Sequence, residues 1–344
     1  MTFASDPSLF VHQLDYSDDR LLLLRVSEDD LRAASFLDQR LLQAEPGQPQ
    51  RAMQWYDWSA VASQTDATGA PARDDARFIF HIGHVGSTLL SRLLGEASDT
   101  LSLREPFLLR QLVELDHMEG LAHSPWPAGR VAERIPLVRK WFSRTFRPGQ
   151  RALIKATSFV SALASPLLGE SHKAVFLTLR PERYLQTILA GSGARQDLKM
   201  LSSQRLERLN RQLGEDAFQL WELDEAQRAA MAWACEMAAL EAASGKNVLW
   251  QDFDAFLADP AASLVRIAAH LEIGLSEAQA RAWVKGPIMT RYSKAPEQGY
   301  SPQLREKLLA SAAKERKEDI RAALRWLDEA GRAHPALASA LERA

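Results

Sequence analysis

Cysteine is almost absent: Cys235 is the only one in 344 residues, so the chain can form no intramolecular disulfide and no cysteine-based metal cluster. Excess charge is lacking too, because 42 basic and 44 acidic residues leave a net charge of −2. That balance excludes a global electrostatic attraction to nucleic acid or anionic membrane, and no basic stripe with interleaved aromatics is present to supply a local one. Long apolar runs are missing. The longest leucine run, Leu21 to Leu24, is far too short to span a bilayer, and the opening MTFASDPSLF lacks a basic start followed by an apolar stretch. A cytoplasmic protein with no membrane insertion is the expectation. His117 and His123 have no partners at metal-ligand spacing, so no metal site is expected. What is present is an ordinary globular composition, 46% hydrophobic and 25% charged.

Residues 1–75 read as an N-terminal extension of strand, helix and loops: RLLLLRV (20–26) as a short strand, then a helix opened by Ser27 with Asp30 in capping-box position. QAEPGQPQ (43–50) and QTDATGAPARDD (64–75) have loop composition. From residue 76 the pattern changes. RFIFHI, ALIKATS (152–158), AVFLTLR (174–180) and NVLWQDF (247–253) are short apolar runs separated by helical segments such as AQRAAMAWACEMAALEAA (226–243). This alternation predicts an α/β fold with a central parallel sheet flanked by helices, over residues 76–300. Residues 301–344 read as a helical tail of one or two helices that buries against its own core or against a second subunit, a homodimer.

The stretch HIGHVGSTLLSRLL carries the chemistry. A strand turning sharply into a helix leaves backbone N–H groups without partners at the positive end of the helix dipole. Gly83 and Gly86 remove side chains where a backbone must approach an anion, and Ser87 and Thr88 add hydroxyls. Neither the ATPase pattern G-x-x-x-x-G-K-S/T nor the dinucleotide pattern G-x-G-x-x-G is met. Arg180 ends an apolar run before Pro181 opens a helix, so it either binds a second anion beyond a strand end or pairs with Glu182. Glu105, past the run LSLR, is either a general base or a helix cap. Trp55, Tyr56 and Trp58 are either an acceptor-pocket wall or packing residues, Trp233, Met231 and Met237 read as core, and Cys235 as an inert buried thiol.

Taken in order, these segments resemble the sulfotransferase superfamily. HIGHVGSTLLSRLL is similar to its 5′-phosphosulfate loop, VFLTLRPERYLQTIL to its 3′-phosphate segment, WQDFDAFLADPAASLVRIAAHLEI (250–273) to its late strand–helix segment, and RYSKAPEQ (291–298) to a late loop of many bacterial members. The resemblance implies a P-loop-like three-layer fold and sulfuryl transfer from 3′-phosphoadenosine 5′-phosphosulfate (PAPS) to a hydroxyl or amine of a small-molecule or carbohydrate acceptor. Adenosine 3′,5′-bisphosphate (PAP) would be the product, with no metal required. It implies that Gly83, Gly86, Ser87 and Thr88 bind the 5′ end of the donor and Arg180 its 3′-phosphate. Thr187 lies beside the position of a further 3′-phosphate ligand, which is Ile188 here, and Lys294 is a candidate for the donor phosphates. Glu105 would be the acceptor base and Lys155 a cation facing the sulfate or the acceptor. His84 stands where the family's loop carries a basic residue, and either donates to the leaving oxygen or only shapes the loop. Acceptor-pocket residues are expected from 104–145 and 190–225. Two other readings are an ATP-dependent kinase on a related fold and a nucleotide-binding protein without catalysis.

Overall fold

Strands covered on both faces read as continuous apolar runs, and the runs of this chain pair accordingly. The computed structural model describes residues 3–43, 51–65, 72–292, 295–299 and 301–343. In the N-terminal section β1 (Leu9–Asp15), β2 (Arg20–Arg25) and β3 (Met53–Asp57) form an antiparallel sheet in that order, with α1 (Glu28–Ala33) and α2 (Trp58–Thr65). The sequence reading found only the second of these strands. The expected capping box is present: Asp30 N–H donates to Ser27 Oγ at 3.0 Å, and Ser27 N–H to the Asp30 carboxylate at 2.8 Å.

The core begins with β4 (Arg77–His81), α3 (Ser87–Leu94), β5 (Thr100–Arg104), α4 (Phe107–Met118), α5 (Arg130–Phe142) and β6 (Arg151–Lys155). It continues through α6 (Ala164–Leu168), β7 (Ala174–Thr178), α7 (Pro181–Ala190), α8 (Ser192–Leu213), α9 (Glu225–Ala242) and β8 (Val248–Asp252). Helices α10 (Phe253–Ala258), α11 (Pro260–His270) and α12 (Glu277–Val284) close it. The five strands make one sheet in the order β5-β6-β4-β7-β8, and every pairing is parallel. Every residue of β4, β5 and β7 is buried, as a sheet between two helical layers requires.

The strand order sets the position of the site. From β4 the chain runs to one edge, returns to β6, then crosses to β7 and β8 on the other side. The direction of winding reverses around β4, and in open α/β sheets a crevice forms beyond the carboxyl end of the strand at such a point. The residues there are 82–86.

The N-terminal section is joined to the core by polar contacts as well as apolar ones. Gln111 of α4 binds both N–H and C=O of Leu14, each at 2.8 Å, like a short extra strand. The buried Arg104 guanidinium donates to the carbonyls of Leu31, Arg32 and Ala34 at the end of α1. Burial pulls the Arg104 guanidinium down to about 9. The tail is α13 (Pro302–Glu315), α14 (Lys317–Ala333) and α15 (Pro335–Arg343), three helices among the described residues. Ile320, Ala323, Leu327 and Ala330 of α14 are buried within this chain, so its apolar stripe covers its own core.

Candidate anion-binding loop and active site

The loop that leaves β4 bends through three positive-φ residues, Gly83 (92°), His84 (54°) and Gly86 (70°). Gly86 is the N-cap of α3 and carries no side chain to cap it, so the N–H groups of the first helical turn receive no side-chain acceptor from that position. Thr88, in that turn, is 2% exposed and its Oγ1 is buried without a hydrogen-bond partner. A buried orphan hydroxyl beside an uncapped helix start fits an anion acceptor.

The two glycines are also fixed by their neighbours. The Gly83 N–H donates to His81 Nδ1 at 3.0 Å, and His81 Nε2 donates to the Ala156 carbonyl at 2.9 Å. Both bonds select the Nε2–H tautomer of His81, which pins the start of the loop to β6. At Gly86 an added Cβ would stand 2.0 Å from Phe253 Cε2. The space a side chain at position 86 would need is thus taken by an aromatic ring from α10. Arg305 of α13 lies over that ring at 5.3 Å and pairs with Asp254 at 2.8 Å, and Asp254 also accepts from Arg183 of α7 at 2.6 Å. This ion network holds α7, α10 and α13 together beside the loop.

Glu105 and Lys155 occupy the carboxyl ends of neighbouring strands β5 and β6. Their side chains form an ion pair, with Lys155 fully buried. Glu105 has φ of 55°, an uncommon conformation for a non-glycine residue, and its N–H donates to the Lys155 carbonyl at 2.6 Å. Leu37 of the N-terminal section brackets it: Leu37 N–H donates to the Arg104 carbonyl at 2.7 Å and Phe107 N–H to the Leu37 carbonyl at 3.0 Å. Strain of this kind persists only where the surroundings over-determine it.

Arg180 follows β7 as the N-cap of α7 and is exposed. Among the described residues it forms no ion pair with Glu182, whose carboxylate instead accepts from Gln186 at 3.3 Å. His84 directs Nε2 to the Asp197 carboxylate of α8 at 3.4 Å. The Thr187 hydroxyl bonds the Arg183 carbonyl of its own helix at 2.8 Å, which occupies its proton. Lys294 lies outside the described residues. Of the aromatic trio, Trp58 packs on Trp141 at 4.7 Å, while Trp55 and Tyr56 are half-buried on β3.

No protein-family model matches the sequence, and no curated protein matches it. Among solved structures the chain is similar to sulfotransferases. One is the sulfotransferase domain from the curacin biosynthetic pathway, 14% identical over 74% of this chain and 97% of that one, with a TM-score of 0.40. Another is sulfotransferase STF9 from Mycobacterium avium, 12% identical over 75% and 80%, with a TM-score of 0.36. A third is mouse sulfotransferase SULT7A1 complexed with PAP, 13% identical over 64% and 67%, with a TM-score of 0.29.

Sequence reasoning missed the groups behind the loop. A Cβ at Gly83 would meet Ser158 Oγ at 3.4 Å and the Tyr184 hydroxyl at 4.0 Å. Tyr184 is buried, and burial pushes its phenol up to about 12. Arg205 and Arg208 of α8 turn inward to Glu236 of α9 rather than outward to solvent. The signal in the sequence is that Arg205 and Arg208 are three apart and that Glu236 interrupts the otherwise apolar run 229–240. Cys235 is buried, and burial raises its thiol to about 11, which keeps it protonated.

Proposed function

We propose that the chain transfers a sulfuryl group from PAPS to an acceptor hydroxyl or amine. The observation that carries this reading is the grouping at the carboxyl edge of the sheet: the uncapped start of α3 with the orphan Thr88 hydroxyl beyond β4, Arg180 just past β7, and the Glu105–Lys155 pair at the ends of β5 and β6. The N–H groups at the start of α3, with the Ser87 and Thr88 hydroxyls, hold the 5′ end of the donor. Arg180 takes the 3′-phosphate with a permanently charged planar fork. Glu105 accepts the proton from the acceptor, Lys155 beside it offsets negative charge, and His84 faces the leaving side of the loop. In the reaction the sulfur–oxygen bond to the phosphate breaks and a sulfur–oxygen or sulfur–nitrogen bond to the acceptor forms. PAP leaves, and the acceptor proton ends on Glu105.

The test is thermal stability with PAP, ADP or 5′-AMP, for wild type and Arg180→Ala. A ligand at 100 times its Kd adds about 2.7 kcal/mol, which raises the melting temperature visibly. Stabilisation by PAP alone, lost in Arg180→Ala, supports the donor site. An equal response to ADP that Arg180→Ala leaves intact overturns it, and metal-dependent ATP turnover would then favour a kinase.

A further inference from the structure

The loop carries no lysine or arginine, yet positive charge is buried directly behind it. Arg205 and Arg208 are 5% and 4% exposed and converge on Glu236, which is fully buried. Arg205 Nε donates to Glu236 Oε1 at 2.8 Å and Arg208 Nη2 to Oε2 at 3.2 Å. The Ser161 hydroxyl also donates to Glu236, and Arg208 Nη2 lies 3.0 Å from Ser161 Oγ. Burial pushes the Glu236 carboxyl up, but the two guanidiniums and Ser161 outweigh it and hold it below the usual range, so it is ionised. Two cations then face one anion. No other carboxylate lies within ion-pair distance of either arginine among the described residues. The remaining titratable groups around them are Tyr184 and Cys235, both raised by burial and neutral, and Asp116 of α4, which acts on Arg208 at longer range.

An excess buried charge is costly unless something offsets it. Two observations bear on that offset. Arg208 keeps Nε and Nη1 buried without hydrogen-bond partners, and so does Thr88 Oγ1 in the loop's helix. Arg205 extends Nη2 to Ser158 Oγ at 3.3 Å, and Ser158 Oγ is the atom nearest the Cβ position of Gly83. A guanidinium, a hydroxyl and the loop backbone at Gly83 are therefore in sequence from the protein interior outward.

We propose that Arg205, acting through Ser158 from beneath the loop, supplies the positive charge for the donor's 5′ anion that position 84 lacks, and is a positioning residue for that end of the donor. This rests on the donor reading given above. In the low-dielectric interior a single charge close behind a bound anion changes affinity on the order of tenfold or more.

The experiment compares calorimetric binding of PAP and adenosine 3′-monophosphate, which lacks the 5′ anion, to wild type, Arg205→Lys, Arg205→Met and Ser158→Ala. Arg205→Met leaves Glu236 paired with Arg208, so no carboxylate is orphaned. The expected result is a loss on the order of tenfold for PAP in Arg205→Met, a smaller loss in Ser158→Ala, near-complete rescue in Arg205→Lys, and unchanged binding of the 3′-monophosphate. Equal weakening of both ligands, or no weakening, overturns the proposal. If Arg205→Met does not fold, Ser158→Ala decides by the same ratio. If wild type binds neither nucleotide, the donor reading fails by itself. Inorganic sulfate and pyrophosphate then decide: binding that depends on Arg205 sustains the role, and binding that does not, or no binding, ends it.

Discussion

The ring of Phe253 lies where a side chain at Gly86 would have to go, with Cε2 only 2.0 Å from the Cβ position. Gly86 also has φ of 70°, which costs a non-glycine residue roughly 1 kcal/mol. Gly86→Ala is therefore expected to destabilise the fold by about 2–4 kcal/mol, from strain plus overpacking. Phe253→Ala alone removes a large buried ring and costs about 3–5 kcal/mol. The double variant should be more stable than the sum of the two by at least about 1 kcal/mol, because the clash disappears with the ring. Urea unfolding of the four proteins measures this. Additive losses would show that the ring and the loop do not constrain each other.

Glu105 and Lys155 combine a structural and a chemical role, and the two can be separated. Removing one charge of a buried pair leaves the other uncompensated, so Lys155→Met and Glu105→Gln should each lose about 3–5 kcal/mol of stability. The joint change Glu105→Leu with Lys155→Met should recover most of that loss, since an apolar pair of similar size replaces the ions. Any sulfuryl transfer should remain absent in the double variant. Activity returning with stability would show that the pair only holds the strand ends together.

Much of this arrangement was legible because the strands are short apolar runs and the residues after them are chemically distinctive. Arg180 and Glu105 each precede or carry a helix start, and the strand-end position follows from that local pattern. The N-terminal sheet was less legible. LFVHQLD places polar His12 and Gln13 inside β1, and the partner that accepts His12 is a distant apolar surface rather than a neighbour in sequence. The Arg205–Glu236–Arg208 cluster was illegible for a related reason. Arginines three apart on a long polar helix are ordinarily a solvated face, and only the packing of α8 on α9 turns them inward. The role of Phe253 depends on a contact between positions 167 residues apart, which no local pattern announces.

The N-terminal section should be indispensable for folding of the core. Without it Leu37 no longer brackets Glu105, and the buried Arg104 loses the carbonyls of Leu31, Arg32 and Ala34. Losing these hydrogen bonds and baring the apolar surface that the section covers costs several kcal/mol, a large share of a typical total stability. Residues 76–344 expressed alone are expected to lack a cooperative thermal transition and to bind a dye for exposed apolar surface. A sharp transition near that of the full chain would show the core to be autonomous.

His12 is the clearest source of pH dependence. Its ring is fully buried, stacks on Phe107 at 6.0 Å, and both nitrogens lack hydrogen-bond partners. Burial pulls its pKa down to about 4, with Asp38 opposing weakly, whereas the unfolded chain titrates near 6.5. Between those values the unfolded state binds the proton and the folded state does not, so stability falls as pH drops from 6.5 to 4. The loss attributable to this residue is about 2–4 kcal/mol. His12→Phe replaces the imidazole by an apolar ring against the same neighbour and removes two buried unpaired nitrogens. It is expected to raise stability by about 1–2 kcal/mol at neutral pH and to flatten the acid limb between pH 6.5 and 4. Denaturant midpoints measured across that range for both proteins check it. Parallel curves would mean that His12 is solvated or partnered in solution and that the acid sensitivity lies elsewhere.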